Sequence, residues 1–268
     1  MERINRRAVL AGAAASAVVL AFATGSYLVR DLQRTTQLAP EGPGPYFVAD
    51  FETGDIRQWQ GLSNKTKDTA VFEITSDVVR AGLHALKITL MPCDDPSPRR
   101  DRAEFIQREG GGLAYEGHER FYGFSFMVPD DFRHAGEGYF LITQWHGMDR
   151  DVPPLFVSYQ AEGLRVEGRR FGWVNLGPVE RNKWIDLVLR VTWSTTDGEV
   201  DVWRDQDLVA RLKAPTLNDE DAAHYYRAGT YLKFGPYRGV DIDYPQTIYV
   251  DEYRIGGSYK EVAPGQEV

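Results

Sequence analysis

Three short stretches of the chain carry polar side chains two residues apart. Arg102 and Glu104 lie in RAEFIQ, Gln144 and His146 in LITQWHG, and Tyr231, Lys233 and Tyr237 in TYLKFGPY, with Gly235 between the last two. Residues i and i+2 of a strand share a face, so each stretch presents one polar face. Leu141, Thr143, Trp145, Leu232 and Phe234 are expected on the opposite, largely apolar face. Such a set suits β-elimination at a uronic acid residue. That reaction needs the sugar carboxylate neutralised so that the C5 proton becomes acidic, a base for that proton, and an acid for the departing C4 oxygen. Arginine offers a planar donor fork to a carboxylate, and glutamine offers neutral donors. Histidine is a natural base near neutral pH. Tyrosine can protonate the leaving oxygen, or act as the base where nearby cations such as Lys233 and Arg102 lower its pKa. The scheme requires no metal or organic cofactor.

These stretches must sit on strands for the spacing to matter, and the surrounding pattern agrees. From Phe47 to about Tyr259 the chain alternates short apolar runs with turns: ALKITL, RFYGFSFMV, YFLITQW, WIDLVLRVTW and TIYVDEYRIG are examples. They are rich in β-branched and aromatic residues, and pairs such as Glu162-Gly163 and Asp197-Gly198 mark the turns between them. Only residues 217–228, with Asn218 as a candidate N-cap, read as a short helix. With 43% hydrophobic residues the chain can bury a large core. The fold class expected is all-β, a single-domain jelly-roll sandwich of the concanavalin A-like kind over residues 46–260, with residues 261–268 as a tail.

The N-terminus reads as an address. Arg6 and Arg7 precede a small-residue apolar stretch that ends in Ala21-Phe22-Ala23, a small-x-small cleavage pattern. The paired arginines are similar to a twin-arginine export signal. A periplasmic or secreted protein is therefore expected, with residues 24–45 as a Pro/Gly-containing linker and membrane association only if the segment is retained as an anchor. Removal of residues 1–23 takes away Arg3, Arg6, Arg7 and Glu2, and moves the net charge from −8 to −10, 28 basic against 38 acidic residues. So acidic a chain is a poor nucleic-acid binder. An anionic ligand must meet a local basic patch, and 99-RRDR-102 is one candidate rim. The single cysteine, Cys93, makes no intrachain disulfide and sits in no nucleophile motif. A monomer is expected.

Arg102-Ala-Glu104-Phe105, Gln144-Trp-His146 and Tyr231-Leu-Lys233-Phe-Gly235-Pro-Tyr237 resemble the three signature strands of jelly-roll polysaccharide lyases. These include the alginate lyases with Gln-x-His and Tyr-x-Lys-x-Gly-x-Tyr motifs, the glucuronan lyases and the heparin lyase I type. The opening FETGDIRQW, the stretch FYGFSFMVPDDF and the closing IYVDEYRIGG extend the resemblance over about residues 47–257. It implies cleavage of an anionic, uronate-containing polysaccharide by β-elimination. His146 and Tyr237 would form the base and acid pair, in an order the sequence leaves open. Arg102, Glu104, Gln144, Tyr231, Lys233 and Arg238 would line the substrate site. Two departures bear on the substrate. Ile106 and Gly239 stand where alginate lyases usually have arginine and glutamine, which points away from alginate and toward a glucuronate polymer.

Plainer readings exist for each residue. A lone strand histidine or tyrosine is ordinarily a packing residue with its polar atoms satisfied, and Arg102 with Glu104 could be a cross-sheet ion pair. His84, His118, His134 and His224 have no comparable neighbours. Glu52 and Asp251 occupy the first and last strands, where similar sandwiches hold a structural calcium, an ion that wants six to eight oxygen ligands. Two other functions compete. A non-catalytic carbohydrate-binding module or lectin could stack sugars on Trp145 or Trp173. A retaining hydrolase of the laminarinase type needs Glu-x-Asp-x-x-Glu, and Glu199-Val-Asp201 begins that pattern, but Arg204 stands where its last glutamate should be.

Overall fold

The computed structural model describes residues 44–63, 70–92, 101–134, 138–147, 153–218, 229–239 and 242–265. The N-terminal signal segment, all but the end of the linker, Cys93, His224 and residues 219–228 of the expected helix lie outside them. Two eight-stranded antiparallel sheets pack face to face, the jelly-roll sandwich the sequence leads one to expect.

The first sheet runs β14 (Asp207–Lys213), β13 (Glu199–Arg204), β12 (Ile185–Thr192), β7 (Glu119–Met127), β16 (Gln246–Gly256), β4 (Ala85–Leu90), β3 (Ala70–Thr75), with β1 (Phe47–Ala49) also on β16. The second runs β11 (Gly172–Gly177), β10 (Gly163–Gly168), β9 (Leu155–Gln160), β8 (Phe140–Gly147), β15 (Gly229–Arg238), β5 (Phe105–Gln107), β2 (Gly61–Leu62), with β6 (Leu113–Tyr115) also on β15. Neighbours in space are often distant in sequence, as β15 against β8 shows. All three polar stretches converge on this second sheet.

Between the sheets lies one continuous apolar core. Trp59 stacks on Phe105 and Phe234 at 5.0 and 5.5 Å between ring centroids. On the first sheet, Phe124 of β7 stacks on Tyr253 of β16 at 5.4 Å. Each large ring taken from water contributes about 1.5–3 kcal/mol, so these residues clamp the back of the site-bearing strands. Trp145, Leu232 and Phe234 face this core, as alternation predicts. Packing continues past residue 260: a short helix, α1 (Tyr259–Val262), buries Val262 beside Val188 and Ala263 on the outer side of the first sheet.

His118, half-buried beside Arg120, is held well below its ordinary value, to about 4, by desolvation and by that guanidinium. Its folded-state pKa lies below the unfolded value of about 6.5. The folded protein therefore disfavours the charged ring, and stability is full above about pH 6.5 and lost as pH falls toward 4. We expect the Tm of the wild type to drop more between pH 7 and pH 5 than that of His118→Asn; parallel Tm curves would contradict this.

Candidate active site

The register explains how the polar groups meet. On β8 and β15, Gln144 pairs with Lys233 and His146 with Tyr231. The two strands then slip: Phe234 pairs with Thr143 but Tyr237 with Leu141, so β15 carries one extra residue. Gly235 takes φ +121° at this bulge, and a Cβ there would lie 2.1 Å from the Ala103 carbonyl oxygen. Only glycine tolerates both the conformation and the contact. The irregularity also corrects one expectation. Leu141, read from alternation as a core-facing residue, lines the cleft, because the registers of β8 shift between Leu141 and Thr143 against β9 as well.

A cleft of about 400 Å³ opens on this face, within the range of small-ligand sites. Arg102, Gln144, His146 and Tyr237 all line it. The Arg102 guanidinium lies over the Tyr237 ring at 4.2 Å from its centroid, and Tyr139 meets the same ring edge-on. The Nδ1 of His146 lies 2.8 Å from the Gly147 carbonyl oxygen. A carbonyl only accepts, so Nδ1 carries the proton in the neutral ring, and Nε2 is the atom with the lone pair.

Beneath these groups lies a buried charge hub. Glu104, 1% exposed, accepts a hydrogen bond from the Gln144 amide, and its other oxygen is 3.4 Å from Arg102 Nη1 and 3.9 Å from Lys233 Nζ. Burial pushes its carboxyl up from the ordinary range, against the pull of Lys233, Arg102 and Gln144. Glu104 and Lys233 are thus set behind the cleft wall. Tyr231 is also buried, and burial raises its hydroxyl against the pull of Arg108, whose guanidinium lies 4.6 Å over its ring. Tyr231 packs against the His146 ring at 5.3 Å.

Arg238 is not where a substrate ligand would be. It is fully buried, paired with Asp101 at 2.7 Å, and donates to the carbonyl oxygen of Tyr244 and to Gln246 Oε1. Backbone bonds from Arg238 N to Asp101 O and from Ala103 N to Pro236 O fasten residues 101–103 along β15. The buried pair therefore positions Arg102 over Tyr237 instead of touching a sugar. The bridge between Arg102 and Tyr237 is the visible result.

Sequence reasoning missed the far wall of the cleft: Phe156 and Gln160 of β9 and Glu167 of β10. The Ser158 hydroxyl donates to Glu167, and Gln160 Nε2 donates to Ser158 Oγ at 3.0 Å. Alternation in LFVSYQ and RVEG carries the signal, but only the pairing of β9 with β8 shows that these faces join the site.

Glu52 and Asp251 converge on one turn. Glu52 accepts the backbone N–H groups of Leu83 and His84, and Asp251 those of Arg80 and Ala81. Among the described residues no group of three or more His, Cys, Asp or Glu side chains is placed to hold a metal ion. Glu199 and Asp201 lie on β13 in the other sheet, in an ion-pair network with Arg190, Arg211 and Lys213. They therefore take no part in this cleft. Trp145 is fully buried and cannot stack on a sugar.

A family model described as Polysaccharide lyase matches residues 51–254, which include every group just placed in the cleft. The chain belongs to the polysaccharide lyase family. No curated protein matches it. Among solved structures, the lyase is similar to an endo-β-1,4-glucuronan lyase from the fungus Trichoderma reesei, with TM-score 0.67 and 20% identity, covering 83% of this chain and 100% of the other. It is also similar to the catalytic domain of a glycoside hydrolase family 131 protein from Coprinopsis cinerea, with TM-score 0.58 and 14% identity, covering 83% and 98%. At these identities the likeness is one of fold, and fold alone does not choose between a lyase and a hydrolase. The family match makes this chain a polysaccharide lyase.

Proposed function

We propose that this lyase cleaves a glucuronate-rich polysaccharide by β-elimination in the β8/β15 cleft. The observation that carries the reading is the convergence of His146 and Tyr237 with Arg102 and Gln144 on one cleft wall. Nε2 of His146 takes the C5 proton. The electron pair released forms the C4–C5 double bond, and the C4–O bond breaks. The Tyr237 hydroxyl gives its proton to the departing oxygen, which becomes a hydroxyl on the leaving sugar. The Arg102 guanidinium over the ring stabilises the phenolate left behind. Arg102 and Gln144 meet the substrate carboxylate, and the buried Lys233 adds positive potential behind them.

Glucuronate is favoured over other uronates by three features. Ile106 pairs with Lys233 on this face, so an apolar residue stands where alginate lyases carry a further arginine. Glu167 puts a carboxylate on the far wall, which suits sugar hydroxyls and disfavours dense sulfation. The similarity to a glucuronan lyase structure points the same way. The test is to incubate the full chain with glucuronan, alginate, hyaluronan and heparin and to follow the absorbance of the unsaturated product. The fastest rise is expected with glucuronan. Faster cleavage of alginate would overturn the substrate assignment, and no unsaturated product from any of the four would overturn the elimination.

Glu52 and Asp251 are proposed to hold a structural calcium ion together with backbone carbonyl oxygens and water, which would supply most of its six to eight ligands; both carboxylates converge on the turn that joins β3 to β4. When bound, the ion would tie that turn to β16. Calcium addition after chelation should then raise Tm by several degrees, since a ligand at 100 times its Kd stabilises by about 2.7 kcal/mol. Identical Tm with chelator and with calcium would leave the two carboxylates as anchors of the turn alone.

A further inference from the structure

The cleft does not end at its far wall. Its lining steps across neighbouring strands, from Tyr237 on β15 to His146 on β8, Phe156 on β9 and Glu167 on β10. A polysaccharide bound there runs across the strands, toward the next strand outward, β11. In the register of β10 with β11, Glu167 pairs with Trp173 and Arg165 with Asn175. Cross-strand partners share a face, so Trp173 and Arg165 lie on the same side of the sheet as Glu167. Trp173 is 54% exposed, whereas Val166 and Leu164, on the other face of β10, are buried in the core.

The Arg165 guanidinium lies 3.9 Å from the centroid of the Trp173 ring. Its side chain is 16% exposed under a residue that is 54% exposed, and it is held by Glu162 at 2.9 Å. The guanidinium thus covers part of the indole on the sheet's outer face while the indole itself stays largely exposed. The cation against one ring face restrains the orientation of the indole, and more than half of the residue's surface remains open to a ligand. An aromatic ring restrained in advance loses little conformational freedom when a ligand stacks on it. The axial C–H groups of a pyranose ring are such a ligand. Three strand spacings of about 4.8 Å separate β8 from β11, or about 14 Å. That span places the indole beyond the sugar at the reacting bond and over a later residue of the same chain.

We propose that Trp173, backed by Arg165, is a stacking subsite for a pyranose residue of the polysaccharide several sugars away from the bond that is cut. This rests on the proposed reaction in the cleft, and it adds a determinant of chain length that the catalytic groups do not supply. The full chain and its Trp173→Ala and Trp173→Tyr variants are compared on glucuronan and on a glucuronate trisaccharide too short to reach β11. In Trp173→Ala, KM for the polymer should rise about tenfold with kcat little changed. KM for the trisaccharide should stay as in the wild type, and Trp173→Tyr should restore most of the polymer affinity. Unchanged KM for the polymer overturns the subsite. So does an equal rise for polymer and trisaccharide, which would mark Trp173 as a purely structural partner of Arg165. Affinity electrophoresis through glucuronan, run in a Tyr237→Phe background if the wild type cleaves the polymer, reads the same subsite without turnover. If the wild type forms no unsaturated product, the reaction reading fails by itself. Retardation of the wild type that is lost in Trp173→Ala still supports the subsite, and equal migration of the two overturns it.

Discussion

His146→Ala and Tyr237→Phe will each lower kcat on the uronate polymer by about a thousandfold, while Tm stays within a few degrees of the wild type. General acid–base groups contribute typically about 10²- to 10⁴-fold, and each substitution removes one proton-transferring atom. Neither holds the fold together. His146 is only partly buried, its Nδ1 lies 2.8 Å from Gly147 O, and its ring packs against Tyr231 at the edge of the cleft. The Thr230 hydroxyl bonds the His146 carbonyl, which the substitution leaves in place. Tyr237→Phe keeps the ring under Arg102 and against Tyr139 and removes only the hydroxyl. Because the two groups serve one elimination, the double variant should lose less than the product of the two single losses. A loss of less than tenfold in both single variants would show that the proton passes elsewhere. Initial rates from unsaturated-product absorbance, with Tm measured in parallel, supply the check.

Glu104→Gln is expected to damage both stability and catalysis, although Glu104 sits behind the cleft wall. The carboxylate faces Lys233 and Arg102 and accepts from Gln144. An isosteric amide keeps the volume but withdraws the negative charge from a buried cation. Breaking a buried ion pair in this way costs about 3 kcal/mol or more, a fall in Tm of roughly 10 °C for a domain of this size. Catalysis suffers because Glu104 orders the two groups that would meet the substrate carboxylate, Arg102 and Gln144, so kcat/KM should fall about a hundredfold or more. A Glu104→Gln protein with wild-type Tm would show that the hub is held by shape and neutral hydrogen bonds and not by charge.

The sequence made much of this site legible because strand alternation is a local rule. Gln144 and His146 on one face of β8, with Trp145 on the other, follow from period two alone, as do Lys233, Leu232 and Phe234 on β15. What alternation could not show depends on distant pairing. Leu141 turned toward the cleft because the register slips at a bulge, and a bulge is defined by two strands at once. The resemblance put Arg238 in the substrate site. Its true partner, Asp101, lies 137 residues away in sequence. Glu167 and Gln160 were unremarkable until β9 and β10 were placed beside β8. Tertiary context decided these residues, and local pattern decided the rest.

Elimination and hydrolysis leave different products, and their balance separates the two most directly. Glucuronan is digested with the full chain, and new reducing ends are counted beside new C4–C5 double bonds. Elimination produces one double bond for each reducing end, and the oligosaccharide carrying it is lighter by one water than its hydrolytic counterpart. We expect a ratio of about one, with both signals lost together in Tyr237→Phe. Reducing ends that accumulate without ultraviolet absorbance would mean hydrolysis, the chemistry of the family 131 structure that shares this fold, and would contradict the assignment of His146 and Tyr237 as an eliminating pair.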